Sequence, residues 1–262
     1  MPITPTAKSN MKKWLLFFGA CLFLSGCGNR SRPGPPEAEA AGVTGNTPVE
    51  EPAAAGTPEL DPTARKLDSL GYVNVVSLDP TIAVCIVYAT PDNFVGEVLY
   101  DDLAEAYLLP EVAEKLVNAH ALLKEKHPEY RFIVYDAARP MAVQRKMWEV
   151  AVRTGKQYYV ANPAKGGGLH NYGAAVDLSI LAGDGIPLPM GTVYDHLGPE
   201  ANIDNETGLV AAGKLTEKER QNRLLLRETM RAAGFRTVTS EWWHFNHCSR
   251  DEAIRKYRLI DF

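Results

Sequence analysis

The chain has 262 residues, 45% of them hydrophobic and 23% charged, which is enough apolar material to bury a substantial core. Length alone allows one large domain or two small ones. The formal net charge is -4 and basic residues form no long run, which argues against nucleic acid as a partner.

In chain order, Lys12 and Lys13 precede an apolar run, Trp14–Leu24, too short to span a bilayer but suited to the h-region of a signal peptide. The run closes on Leu24-Ser25-Gly26-Cys27. An ordinary signal peptide cut at a small residue fits this tetrapeptide, but its place at the end of the h-region resembles the bacterial lipobox. That resemblance implies residues 1–27 as a lipoprotein signal peptide and Cys27 as the lipidated residue, with two or three acyl chains for stable anchoring. From residue 28 to 62 the chain is rich in Pro, Ala, Gly and Glu and nearly devoid of large apolar side chains, the composition of a flexible tether. Residues 63–262 are then expected to form one catalytic domain.

Within that domain, Val73–Val76 and Ile82–Tyr88 are β-rich runs. Val112, Leu116, Ala119, Leu122 and Leu123 recur at helical spacing between Pro110 and Lys126. Arg131–Tyr135 reads as a strand, and Pro140 suits the first position of a helix over Met141–Val152. Gly166-Gly167-Gly168 breaks the chain before a strand over Ala174–Leu181. Thr216 with Glu219 predicts a capped helix to Ala233, ended by Gly234. Phe235–Thr239 is strand-like. Helices and strands without regular βαβ alternation point to an α+β domain with a central, mainly antiparallel sheet flanked by helices. Cys85 and Cys248 are compatible with a disulfide or with two buried thiols, and neither belongs to a Cys-x-x-Cys pair.

Two segments carry chemistry. Asp177 follows His170 by seven residues and sits in the apolar run Ala174–Ile180, where a carboxylate needs a partner: a metal, a buried arginine or backbone N–H groups. Glu241 precedes His244 by three residues, between tryptophans and a phenylalanine. An ideal strand would point this pair to opposite faces, so a shared site requires a turn or bulge near Trp243. Together the segments supply His170, Asp177 and His244 as three ligands for one zinc ion in a cleft on the sheet, leaving a position for water. Glu241 is then the general base. His247 and Cys248 are the residues that would close the site into a structural one. Arg139, in Tyr135-Asp136-Ala137-Ala138-Arg139-Pro140, either stabilises an oxyanion or pairs with Asp136.

These residues resemble the D-alanyl-D-alanine dipeptidases, zinc peptidases related to the D,D- and L,D-carboxypeptidases of peptidoglycan. The likeness rests on Ala89-Thr90-Pro91-Asp92-Asn93-Phe94-Val95-Gly96, on Tyr135–Pro140, and on His170-x-x-Gly173-x-Ala175-x-Asp177. Met190-Gly191-Thr192-Val193-Tyr194-Asp195, Asn222-Arg223-Leu224-Leu225, Gly234-Phe235 and Glu241-Trp242-Trp243-His244-Phe245 follow in the family's order. The resemblance implies His170, Asp177 and His244 as zinc ligands, Glu241 as base and Arg139 as transition-state stabiliser. It departs at Gly168, where the family often has serine.

The expected activity is hydrolysis of D-Ala-D-Ala in the cell envelope. The alternatives are a carboxypeptidase acting on peptidoglycan stem peptides and a non-catalytic wall-binding lipoprotein. The expected partners are a small D,D-dipeptide and the membrane, with no nucleic acid and no obligatory protein.

Overall fold

The computed structural model describes residues 60–262. The signal peptide, Cys27 and all but the last three residues of the tether lie outside the described residues. Helix α1 (Pro62–Ser69) begins on Pro62, at the N1 position where a missing N–H costs nothing.

Strand β1 (Val73–Asn74) is shorter than its β-rich sequence suggests, because Val75–Leu78 turns into a one-turn helix, α2. The Asn74 side chain accepts from Val76 N at 3.1 Å, an N-cap that overrides the β-propensity of the valines. Only Ala83–Val84 of the second run is a strand, β2. Beyond it the chain leaves the sheet in a 3-10 turn (Val87–Ala89) that buries Tyr88, and Ile86 is buried just before it. Strand β3 (Tyr107–Leu108) pairs with β1 in a separate two-stranded sheet.

Helix α3 (Pro110–Lys126) follows its apolar stripe, with Val112, Leu116, Ala119 and Leu123 all buried. It packs on β4 (Arg131–Asp136), where the His120 ring lies 5.3 Å from that of Phe132. Helix α4 (Met141–Arg153) takes Pro140 as its N-cap. Every residue of β5 (Ala175–Leu181) is buried. The short helix α5 (Glu206–Ala211) leads to α6 (Glu217–Ala232), which also packs on α3. Thr216 and Glu219 form the expected capping box: the Thr216 hydroxyl accepts from Glu219 N at 3.2 Å and Thr216 N donates to the Glu219 carboxylate at 2.7 Å. Strands β6 (Arg236–Thr237) and β7 (His244–Asn246) are brief, and α7 (Arg250–Lys256) follows.

The main sheet has the order β2-β4-β5-β7-β6. Only β2 and β4 run parallel; the other pairs are antiparallel. An all-buried apolar strand belongs at the middle of such a sheet, and β5 occupies that place. No disulfide joins Cys85 to Cys248. Cys85 follows β2 and Cys248 follows β7, three strand spacings apart, and about 14 Å is beyond the reach of an S–S bond. Among the described residues no helix is long and apolar enough to cross a membrane.

The capping box yields a stability prediction. Thr216→Ala removes the hydroxyl that accepts from Glu219 N and should lower unfolding stability by about 1 kcal/mol. Urea denaturation should show a lower midpoint at unchanged m-value.

Candidate active site

The register of the sheet assembles the site. Asp177 of β5 pairs directly with His244 of β7, so both side chains leave the same face. On the other side of β5, the register with β4 shifts between Val134 and Asp136 and brings Asp136 opposite Asp177. This bulge re-aims β4 at its end, where it meets the site.

His170 arrives on a 3-10 turn, Leu169–Tyr172, bounded by glycine. Gly173 closes the turn at φ +65°, and a Cβ there would fall 2.3 Å from Tyr72 Cε1. His170 Nε2 comes within 3.2 Å of Asp177 Oδ1 and 3.1 Å of His244 Nδ1. The Asp177 Oδ1 to His244 Nδ1 distance is 2.9 Å. A tetrahedral zinc site with bonds of about 2.0–2.1 Å has ligand–ligand edges of about 3.3 Å. The three separations lie near that edge, so the donor atoms suit one small divalent cation.

Outer contacts orient each donor. A backbone carbonyl can only accept, so the 2.7 Å contact with Ala137 O places a proton on His170 Nδ1 and leaves the Nε2 lone pair for the site. His244 Nε2 is 2.8 Å from Asn246 Oδ1, which leaves Nδ1 facing the cluster. The Tyr194 hydroxyl donates to Asp177 Oδ2 at 3.0 Å, so only Oδ1 remains for the cluster.

The electrostatics follow from burial and proximity. Burial opposes charge on Asp177, yet the two imidazoles outweigh it and hold its carboxyl well below the usual range. Burial likewise disfavours the His244 imidazolium, but the hydrogen bond to Asp177 and the charges of Asp177 and Glu241 push its pKa up to about 9.

Trp242 and Trp243 form a turn between Glu241 and His244, the irregularity that the three-residue spacing requires. Glu241 Oε2 therefore lies 3.8 Å from His244 Nδ1. Burial raises the Glu241 pKa, and the neighbouring His244 only partly offsets it. Arg139 pairs with Asp136, the second of its two sequence readings. Its Nε donates to Asp136 at 2.9 Å, a second pairing to Asp136 runs through Nη2, and Nη1 donates to Gln144 Oε1 at 2.9 Å. It also lines the same cavity as the His–Asp–His cluster and Glu241, a space of about 330 Å³.

Sequence reasoning left Asp195 without a role. It lines this cavity too, with its Oδ1 accepting from the Tyr88 hydroxyl at 3.0 Å and its Oδ2 buried without a hydrogen-bond partner among the described residues. Burial pushes its pKa well above the ordinary carboxyl value, with the Tyr88 hydrogen bond opposing. Its φ of +61° is the one positive value at a non-glycine position among the described residues, a strained conformation that recurs at functional sites. Local propensity gives no sign of it; the signal was its place at the end of Met190–Asp195. Tyr172 stays in the core, its hydroxyl donating to Gly166 O at 3.2 Å. Neither His247 nor Cys248 joins the three-donor group.

The other family-like segments build the walls. Asn93 folds its own loop by donating to Thr90 O and Glu97 O, at 2.6 and 2.8 Å, and so presents Phe94 to the cavity. Asn222 Nδ2 and Arg223 Nε donate to the carbonyls of Pro189 and Met190, at 2.8 and 2.6 Å. Trp242 Nε1 donates to Thr192 Oγ1 at 2.8 Å. Together they pin the loop that carries Tyr194 and Asp195.

Comparison with known proteins places the chain in a family. Residues 45–258 match the family model described as D-ala-D-ala dipeptidase. The D-alanyl-D-alanine dipeptidase of Escherichia coli K12 is 28% identical over 178 residues, covering 68% of this chain and 85% of the relative. Its namesake in Synechocystis is 29% identical over 170 residues, 52% of this chain and 66% of the relative. That of Enterococcus faecium is 28% identical over 181 residues, 60% of this chain and 82% of the relative. The chain belongs to the D-ala-D-ala dipeptidase family and is a hydrolase of the metallopeptidase class.

Proposed function

We propose that this protein hydrolyses D-alanyl-D-alanine, or a close D-amino-acid dipeptide, with zinc held by His170 Nε2, Asp177 Oδ1 and His244 Nδ1. The observation that carries the mechanism is the Glu241 carboxylate beside this group yet outside it, at 3.8 Å from His244 Nδ1. When bound, zinc supplies Lewis acidity, drawing the pKa of water towards neutrality and polarising a carbonyl. Glu241 takes the water proton at Oε2 and returns it to the leaving amine, and the burial that raises its pKa strengthens it as a base. Arg139, held by Asp136 and Gln144, offers positive charge to the oxyanion of the tetrahedral intermediate.

Asp195 favours the dipeptidase over the carboxypeptidase. A free dipeptide carries an ammonium group one residue from the scissile bond, where a stem peptide has an acylated nitrogen. Oδ2, without a hydrogen-bond partner among the described residues, suits that ammonium, which would also relieve the buried carboxyl. The cellular setting proposed is the envelope, with the domain held at a membrane through lipid on Cys27 and residues 28–62 as the tether.

Three measurements test these statements. In the full-length protein, His170→Ala should lose bound zinc by elemental analysis, whereas Glu241→Ala should keep it and lose about 10²–10⁴ in kcat. Full turnover by zinc-loaded Glu241→Ala excludes it as base. Acetylation of the substrate amine should cut kcat/KM by about 100-fold or more, since a buried carboxylate then meets no cation. Comparable cleavage of D-Ala-D-Ala and its N-acetyl form would favour the carboxypeptidase instead. In cells, Cys27→Ala should move the protein out of the membrane fraction and abolish labelling by a fatty-acid probe.

A further inference from the structure

The turn that carries His170 also grips the peptide of Arg139, through a residue that the mechanism does not use. Asn171 is completely buried. Its Nδ2 donates to Arg139 O at 2.8 Å, and its Oδ1 accepts from Gly168 N at 2.9 Å. One residue earlier, His170 O accepts from Arg139 N at 3.0 Å. Two consecutive residues of the turn therefore hold Arg139 by both its N–H and its carbonyl.

The surroundings make this grip decisive for where Arg139 stands. Pro140 follows Arg139, caps α4 without a side-chain hydrogen bond, and has no N–H of its own. The first free N–H groups of α4, on Met141 and Ala142, instead donate to Ile260 O and Phe262 O at 2.8 and 3.0 Å. Ile260 N in turn donates to Asn171 O at 2.8 Å. The start of α4, segment 260–262 and the His170 turn thus close a ring of hydrogen bonds on Asn171. Gly167 makes room for it: at φ +65°, a Cβ on Gly167 would fall 2.2 Å from Asn171 Oδ1. The glycine run that looked like a chain break is also the space for this side chain.

We propose that Asn171 is a positioning residue for Arg139, setting through the Arg139 carbonyl where the guanidinium stands relative to the His–Asp–His group. The proposal rests on the role given to Arg139 above. Removing the amide leaves the Arg139 carbonyl and the Gly168 N–H without their partners, so this corner relaxes. His170 keeps its Ala137 contact, and Asp177 and His244 keep their sheet register. The metal-binding group therefore survives the change while Arg139 shifts.

The test is a double-mutant cycle in full-length, zinc-loaded protein, with D-Ala-D-Ala as substrate. Asn171→Ala should retain its zinc and lose about tenfold to a hundredfold in kcat, the range for one lost buried hydrogen bond, with KM little changed. In an Arg139→Ala background the same substitution should cost under about twofold, because its route of action is gone. Additive losses, or loss of zinc in step with activity, overturn the proposal. Asn171→Asp serves if the alanine variant does not fold: it keeps an acceptor for Gly168 N and presents no donor to Arg139 O. A second readout needs no turnover. The Nε–H resonance of Arg139, assigned by its disappearance in Arg139→Lys, should exchange with solvent about tenfold faster in either Asn171 variant, as expected for a loosened buried group. Unchanged exchange overturns the positioning role, whereas an inactive wild type overturns only the dipeptidase reading.

Discussion

An ionised carboxylate in the middle strand of the sheet is the constraint to which the rest of the structure answers. Asp177 is flanked by apolar residues, and the whole of β5 is buried. An unpartnered charge there would cost several kcal/mol, so the fold must bring partners to both oxygens. Oδ1 faces the two imidazoles and Oδ2 takes the Tyr194 hydroxyl. The first imidazole needs the glycine-bounded turn, the second needs the β5–β7 register, and the hydroxyl needs the loop that α6 and Trp242 hold in place. A core demand and a functional arrangement are here the same set of contacts.

Asp136 raises the same problem one strand away. Like charges directly across a sheet repel, and the β4 bulge places Asp136 opposite Asp177. Arg139 resolves this by pairing with Asp136, while the Tyr100 hydroxyl donates to the other Asp136 oxygen at 3.1 Å. Burial would lower the guanidinium pKa, but Asp136 holds it well above its usual value, so the charge on Arg139 is permanent. A salt bridge and a cavity-lining cation are therefore one residue in one conformation. The Tyr88 ring, 5.3 Å from the guanidinium carbon, adds a cation–π contact and also carries the hydroxyl that bonds Asp195.

What could be read from sequence divides along physical lines. Helix α3 was legible from its apolar period, strands β4 and β5 from their apolar runs, and α6 because its cap residues Thr216 and Glu219 announce it. Val73–Val76 and Ile82–Tyr88 misled because β-propensity reports how a side chain fits a pleated surface, and the Asn74 cap and the burial of Ile86 and Tyr88 decided otherwise. Helix α7 had a readable start, Ser249 accepting from Glu252 N at 3.3 Å, but too few residues to show a period. His170, Asp177, Glu241 and His244 stood out because histidines and carboxylates in apolar runs are scarce. Asp195, Tyr88 and Asn171 are ordinary residues whose meaning comes from a backbone twist, a cavity wall and a ring of hydrogen bonds.

Gly168 shows how packing couples a wall of the cavity to Arg139. A Cβ at this position would stand 3.1 Å from the Ala161 Cβ, so serine there would press on Ala161. Ala161 is not idle: its carbonyl accepts from Gln144 Nε2 at 2.7 Å, and Gln144 Oε1 accepts from Arg139 Nη1. A side chain at 168 would therefore push, through Ala161 and Gln144, on the Arg139 guanidinium. The missing hydroxyl is thus coupled to the seating of Arg139 and is not a simple deletion. Gly168, Ala161, Gln144 and Arg139 line one cavity, so a change at the first is felt at the last through contacts that are all on its wall.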